Sequence, residues 1–205
     1  MAAWVIHPQK IKFIHVPKAA GSAVTKWAMG NFDMQKLGPA THYSLLQTNE
    51  IAPETKDYFS FCVVRNTYDR LVSLYEFSEF KAHKTLARLK KKGKIGRDDF
   101  WLERIEHYKL GFKKWLDTST CRDEPDQLTY IFDDEGNQIS YIIRYENFKE
   151  EFKLIQEKLN STVDPTPANV RPNSTPYPEY YDAEAIEKVA KLFKNEINYF
   201  GFTFE

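Results

Sequence analysis

The sequence predicts an α/β fold, a parallel β-sheet flanked by helices on both faces. Three observations carry this. Lys10–Val16, KIKFIHV, is a short β-rich run bounded by Pro17; it enters the small-residue turn PKAAGSA and then a helical stretch from about Ser22 to Asn31. Tyr58–Val64, YFSFCVV, is an almost unbroken apolar run, the pattern of an interior parallel strand covered on both faces. Thr67–Phe80 follows at once, with Leu71, Leu74, Tyr75 and Ser78 at helical spacing. Strand, tight turn and helix, met twice, imply parallel strands joined by crossovers. Ligands of such sheets bind beyond the carboxyl ends of the strands. Pro17–Ser22 and Arg65–Thr67 occupy that place.

The remaining elements follow from local pattern. Gly38–Pro39 breaks the chain, and Ser44–Ile51 reads as a short helix. Phe100–Leu116 reads as one helix. Leu128–Phe132 and Ile139–Arg144 read as strands around the turn DDEGN, forming a hairpin. Phe148–Leu159 is helical, and Asp164–Pro178, with five prolines, is a loop. Asp182–Tyr199 is a helix with Ile186, Val189, Ala190, Phe193 and Ile197 on one face, and the tail FGFTF packs back on the core.

A length of 205 residues suits a single domain, 1–205, which needs no disulfide or metal to stabilise it. Hydrophobic residues at 42% and charged residues at 28% exclude a disordered, collagenous or coiled-coil chain. The net charge is zero, so the basic surplus of a nucleic-acid binder is absent. The distribution is uneven, however. Lys81–Arg97 holds eight basic residues and no acidic one, while the rest of the chain has 21 basic against 29 acidic residues. Gly93 and Gly96 interrupt any helix there, so this insertion reads as a solvated loop. Alternatively it is an electrostatic lip for an anionic acceptor. Cys62 and Cys121 do not make a disulfide framework, and Cys62 reads as a small buried hydrophobe. Neither a membrane-length apolar run nor a signal-peptide pattern is present, so a cytoplasmic protein is expected.

Two segments carry chemistry. In Phe13–Val24, FIHVPKAAGSAV, successive backbone N–H groups ahead of a helix can cradle a phosphate or sulfate, with Lys18 adding charge and Ser22 a hydroxyl. The Gly-Lys-Ser/Thr ending of a nucleoside-triphosphate loop is missing, which counts against a small-molecule kinase. A plain turn with a solvated lysine stays open at this level. In Phe61–Phe77, FCVVRNTYDRLVSLYEF, Arg65 sits just past a buried strand and Ser73 lies about two helical turns on. Both can reach one phosphate; a structural pair of Arg65 with Asp69 is the alternative.

Together these segments resemble the sulfotransferases that use 3′-phosphoadenosine 5′-phosphosulfate (PAPS), in particular the carbohydrate sulfotransferase superfamily with its PKTAGT/S and VRNPYDRLVSAY-type motifs. THYSLLQTNEI is similar to the family's His-containing segment, and SYIIRYENFKEEFKLI to its strand–Arg–aromatic–Glu–Asn helix entry. The stretch from Asn169 to Phe204 is similar to its C-terminal loop, helix and aromatic ending. Ala19, Ala23 and Thr67 depart from the motifs, and the alanines leave open a nucleotide-binding module without transfer activity.

The resemblance implies a P-loop-like sheet, PAPS as donor without a metal, and a hydroxyl acceptor, most simply of a carbohydrate. It assigns Pro17, Lys18, Ala20, Gly21, Ser22 and Ala23 to the 5′-phosphosulfate side, and Arg65 and Ser73 to the 3′-phosphate. Lys18 would stabilise the charge on the leaving group. His42 would take the acceptor proton, with a structural or helix-capping histidine as its rival. Arg171, Asn173 and Ser174 correspond to a loop that closes over the cofactor or acceptor, with a plain connecting loop as the alternative. His15, within a strand, reads as a satisfied core histidine. Gln127, in a Pro-Gln element, receives no role.

Overall fold

The computed structural model describes residues 3–38, 42–91, 98–168 and 175–205. The chain runs β1 (Ala3–Ile6), β2 (Ile11–Ile14), α1 (Gly21–Asn31), β3 (Met34–Leu37), α2 (Leu45–Ile51) and β4 (Phe59–Val64). It continues through α3 (Thr67–Lys91), α4 (Asp98–Lys109), α5 (Phe112–Trp115), α6 (Ser119–Arg122) and α7 (Leu128–Ile131). β5 (Tyr141–Arg144), α8 (Phe148–Glu151), α9 (Lys153–Lys158), α10 (Ala183–Leu192) and α11 (Lys194–Phe200) complete it. Two compact units emerge, one from residues 1–66 with 126–173 and the other from 67–125 with 174–205.

The first unit is built on a five-stranded sheet in the order β3-β1-β2-β4-β5, flanked by helices. β2, β4 and β5 are parallel, as expected. β1 runs antiparallel to both β2 and β3, so the sheet is mixed rather than wholly parallel. Both additional strands are short, and β3, MQKL, is a half-exposed edge without β-branched residues, which is why it left no pattern to read. Every residue of β2 is buried, and all of β4 beyond Phe59, in keeping with central strands covered on both faces. Lys12 is the exception in kind. Its ammonium is buried in β2 and donates to Asn49 Oδ1 at 2.7 Å and to the carbonyls of Thr55 and Lys56. Burial lowers its pKa to about 8, against the pull of Asp133 and Asp57.

The hairpin expected over 128–144 does not form. Leu128–Ile131 is a helical turn, started by the Asp126 carboxylate accepting from Leu128 N at 2.8 Å. The Asp133–Asn137 turn is present, closed by one bridge between Phe132 and Gln138. β5 then pairs with β4 in parallel, where Ser60 and Ser140 bond reciprocally through hydroxyl and main chain.

The second unit is helical. α3 reaches Lys91 rather than ending at Phe80, so the first half of the basic insertion is helix and not loop; Lys, Arg, Ala and Leu are good helix formers. Positions 92–97 lie outside the described residues. Gly111, at φ 80°, divides the expected 100–116 helix into α4 and α5. Phe193 likewise separates α10 from α11. Leu71, Tyr75, Phe112, Trp115, Val189 and Phe193 pack one core. Phe204 of the tail meets Tyr68 edge to face, as the tail pattern predicts. Within this core Arg70 is fully buried and bridges Glu124 at 3.0 Å and Glu196 at 3.7 Å, while Thr67 donates to Glu196. Such a network demands that every member be present, because a lone buried charge is costly. Both cysteines are free and buried, and burial pushes both thiols up.

Candidate active site

The turn after β2 is strained. Lys18 and Ala20 both adopt left-handed backbone conformations, φ 65° and 58°, each costing about 1–2 kcal/mol for a residue with a Cβ. Strain of this kind persists where the surroundings over-determine it, and it clusters at functional sites. The result is a sharp entry into α1 with no side-chain cap on its N-terminus. The amides of Gly21 and Ser22 open the helix ahead of its internal ladder, where an anion is favoured. Ser22 is exposed and Lys18 is half-buried. Ala19 and Ala23, where the motif commonly carries hydroxyls, are buried. The Ala23 amide already donates to Ala20 O at 2.8 Å.

Gly21 has a steric reason to be glycine. A Cβ there would lie 1.9 Å from the His15 ring. That ring is buried, and its Nδ1 has no hydrogen-bond partner among the described residues. The expected core histidine is therefore buried but not satisfied. Burial first, then the neighbouring His42 and Lys18, lowers its pKa to about 3, so His15 is neutral at ordinary pH. The ring of His42 meets it at 4.4 Å between centroids, edge to face. His42 Nδ1 lies 2.9 Å from the His15 carbonyl. The capping alternative for His42 is answered by Ser44, which caps α2 in a reciprocal capping box with Gln47.

The second segment joins the first at the carboxyl ends of adjacent parallel strands. Arg65 follows β4 directly, and its Nη1 donates to the Lys18 carbonyl at 3.3 Å. Its guanidinium lies 4.3 Å over the Tyr145 ring. Two residues that carried no role from sequence hold this turn. Gln127, fully buried, bonds both main-chain groups of Arg65. Glu146 accepts from the Asn66 amide at 2.6 Å. The Pro-Gln pair and the Tyr145–Glu146–Asn147 run were the available signals, but neither says which backbone it will meet.

One end of the sheet thus gathers Pro17, Lys18, Ala20, Gly21, Ser22, Arg65, His15 and His42. Ser73 lies on the second turn of α3, half-buried, in the other unit. Arg171, Asn173 and Ser174 lie outside the described residues. Glu76, a carboxylate in the second motif, accepts from the Tyr180 hydroxyl. Among the described residues no cluster of His, Cys, Asp and Glu could hold a metal ion, and no helix is long and apolar enough to cross a membrane.

A strained turn before an uncapped helix, a cation on each of two converging segments and a histidine beside them can bind a dianion and move a proton. The family model described as "Sulfotransferase family" matches residues 1–203. Neither the curated proteins nor the solved structures yield a significant match.

Proposed function

The chain belongs to the sulfotransferase family, and from that premise we propose that it moves a sulfuryl group from PAPS to a hydroxyl, of a carbohydrate and preferably an anionic one. The observation that supports this best is the contact of Arg65 with the Lys18 carbonyl, which brings both phosphate-binding segments to one place. In this reading the Pro17–Ala23 turn takes the 5′-phosphosulfate, and Arg65 takes the 3′-phosphate, with Ser73 and Arg171 as further contacts. The acceptor oxygen attacks sulfur in line. The new S–O bond forms as the old one breaks, and its electron pair leaves on 3′-phosphoadenosine 5′-phosphate beside Lys18. His42 receives the hydroxyl proton. Positioning and charge stabilisation supply most of the rate. The eight basic residues of Lys81–Arg97 would favour an acidic glycan.

Calorimetry tests the donor half. 3′-Phosphoadenosine 5′-phosphate should bind far more tightly than AMP or ATP, in the absence of magnesium. Equal or tighter binding of magnesium–ATP would favour a kinase instead. Labelled PAPS offered to a glycan array tests the acceptor half.

A further inference from the structure

His15 sits at the centre of the site, yet the reaction as written gives it nothing to do. Its ring fills the space that a Cβ on Gly21 would need, with Cδ2 and Nε2 as the nearest atoms. On another side it abuts the His42 ring at 4.4 Å, and Phe13 stacks at 5.7 Å. Its main-chain carbonyl receives His42 Nδ1 at 2.9 Å. A carbonyl oxygen only accepts, so the proton of a neutral His42 resides on Nδ1, and Nε2 carries the lone pair. The deeply buried Nδ1 of His15 pairs with no described residue. A packing role alone would be better served by an apolar side chain of this volume, which leaves no polar atom unpaired.

We propose that His15 is a positioning residue: its ring, wedged between Gly21 of the donor turn and His42, and its carbonyl, bonded to His42 Nδ1, hold the base in one tautomer and one orientation relative to the donor. The proposal rests on the reading of His42 as the base. It explains why a histidine stands where leucine would pack, and it ties the glycine of the first motif to the second catalytic group. Displacement of a reacting group by about 1 Å can cost on the order of 10²-fold in rate, so a wedge at this point acts on turnover more than on affinity.

The test is nitrogen-15 NMR of histidine-labelled protein, with His42 assigned by its loss in His42→Ala. Wild type should show His42 as the single tautomer protonated on Nδ1. His15→Leu keeps the volume and should fold; His15→Ala opens the site further. Both variants retain the main-chain carbonyl but remove the ring that holds His42 against it, so in either the His42 ring should turn away and appear as a mixture of tautomers, while 3′-phosphoadenosine 5′-phosphate binding changes by less than about threefold. Gly21→Ala should disturb His42 in the same way, and Gly21→Ala with His15→Ala should be less disturbed than the sum of the two, because the clash needs the ring. An unchanged His42 tautomer in both His15 variants would overturn the proposal. This readout needs no acceptor. Whether His42 is the base is decided separately by the rate of His42→Ala, so the two readings fail independently.

Discussion

The side-chain amide of Gln127 closes both main-chain groups of Arg65: its Oε1 accepts from the Arg65 N–H at 3.0 Å, and its Nε2 donates to the Arg65 carbonyl at 2.9 Å. The pair stands in for a strand ladder just where β4 ends, and it aims the guanidinium towards Lys18 and over Tyr145. Gln127→Glu keeps the shape but removes the donor, leaving a buried carbonyl unpaired at a cost of about 1–3 kcal/mol of stability. Affinity for 3′-phosphoadenosine 5′-phosphate should fall at least tenfold, with AMP affinity little changed. An unaltered preference for the 3′-phosphate in calorimetry would mean that Gln127 does not position Arg65.

Lys18 differs from Arg65 in what it should affect. Its backbone is held left-handed at the head of the donor turn, and its ammonium is a compact point charge rather than a planar fork. If that charge matters most as the leaving group departs, Lys18→Ala lowers turnover by more than it weakens donor binding. Poor binding with normal turnover at saturating PAPS would exclude the leaving-group role.

The parallel centre of the sheet was readable because β2 lies in a short β-rich run and β4 in an almost unbroken apolar one, each followed by a turn and a helix. The antiparallel edge was not. β3 is polar and half-exposed, and the short β1 has no flanking pattern to separate it from a loop. The run Leu128–Phe132 is rich in β-branched and aromatic residues, yet Asp126 supplies a local acceptor that starts a helical turn instead. At the site, Lys18, Arg65 and His42 were legible because they stand in motifs. Gln127 and Glu146 were not, because their partners lie 62 and 80 residues away in sequence, and the His15 wedge was not, because a strand pattern does not say which way the ring turns against Gly21 and His42.

The base reading of His42 makes a sharp prediction. With Nδ1 bonded to the His15 carbonyl, proton uptake falls to Nε2, and activity should drop on the acid side as the imidazole becomes charged. His42→Ala should lose on the order of 10²–10⁴-fold in turnover, with normal binding of 3′-phosphoadenosine 5′-phosphate. His42→Asn should do no better, since an amide can bond the hydroxyl but cannot accept its proton. Turnover against pH for wild type and both variants decides it. A variant with near-wild-type turnover and the same acid limb would remove His42 from the reaction.

The buried ring of His15 also sets how the fold responds to acid. Its pKa is lowered from 6.5 to about 3, chiefly by burial. Between those values the unfolded chain binds a proton that the folded chain refuses, so stability falls as pH drops from about 6.5 towards 3. Above 6.5 the ring is neutral in both states and the effect vanishes. Lys12 acts in the same direction in another window: with its pKa lowered to about 8, stability should rise as pH passes from 8 towards 10.5. Other carboxylates and amines titrate in both ranges, so the diagnostic quantity is a difference. Going from pH 7 to pH 4.5, wild type should lose about 2–3 kcal/mol more than His15→Leu, the linkage expected of one histidine held neutral. Urea unfolding of the two proteins across that range measures it. Parallel stability curves would show that His15 takes up its proton within the fold, and that the contact with His42 and Gly21 is looser than the buried ring implies.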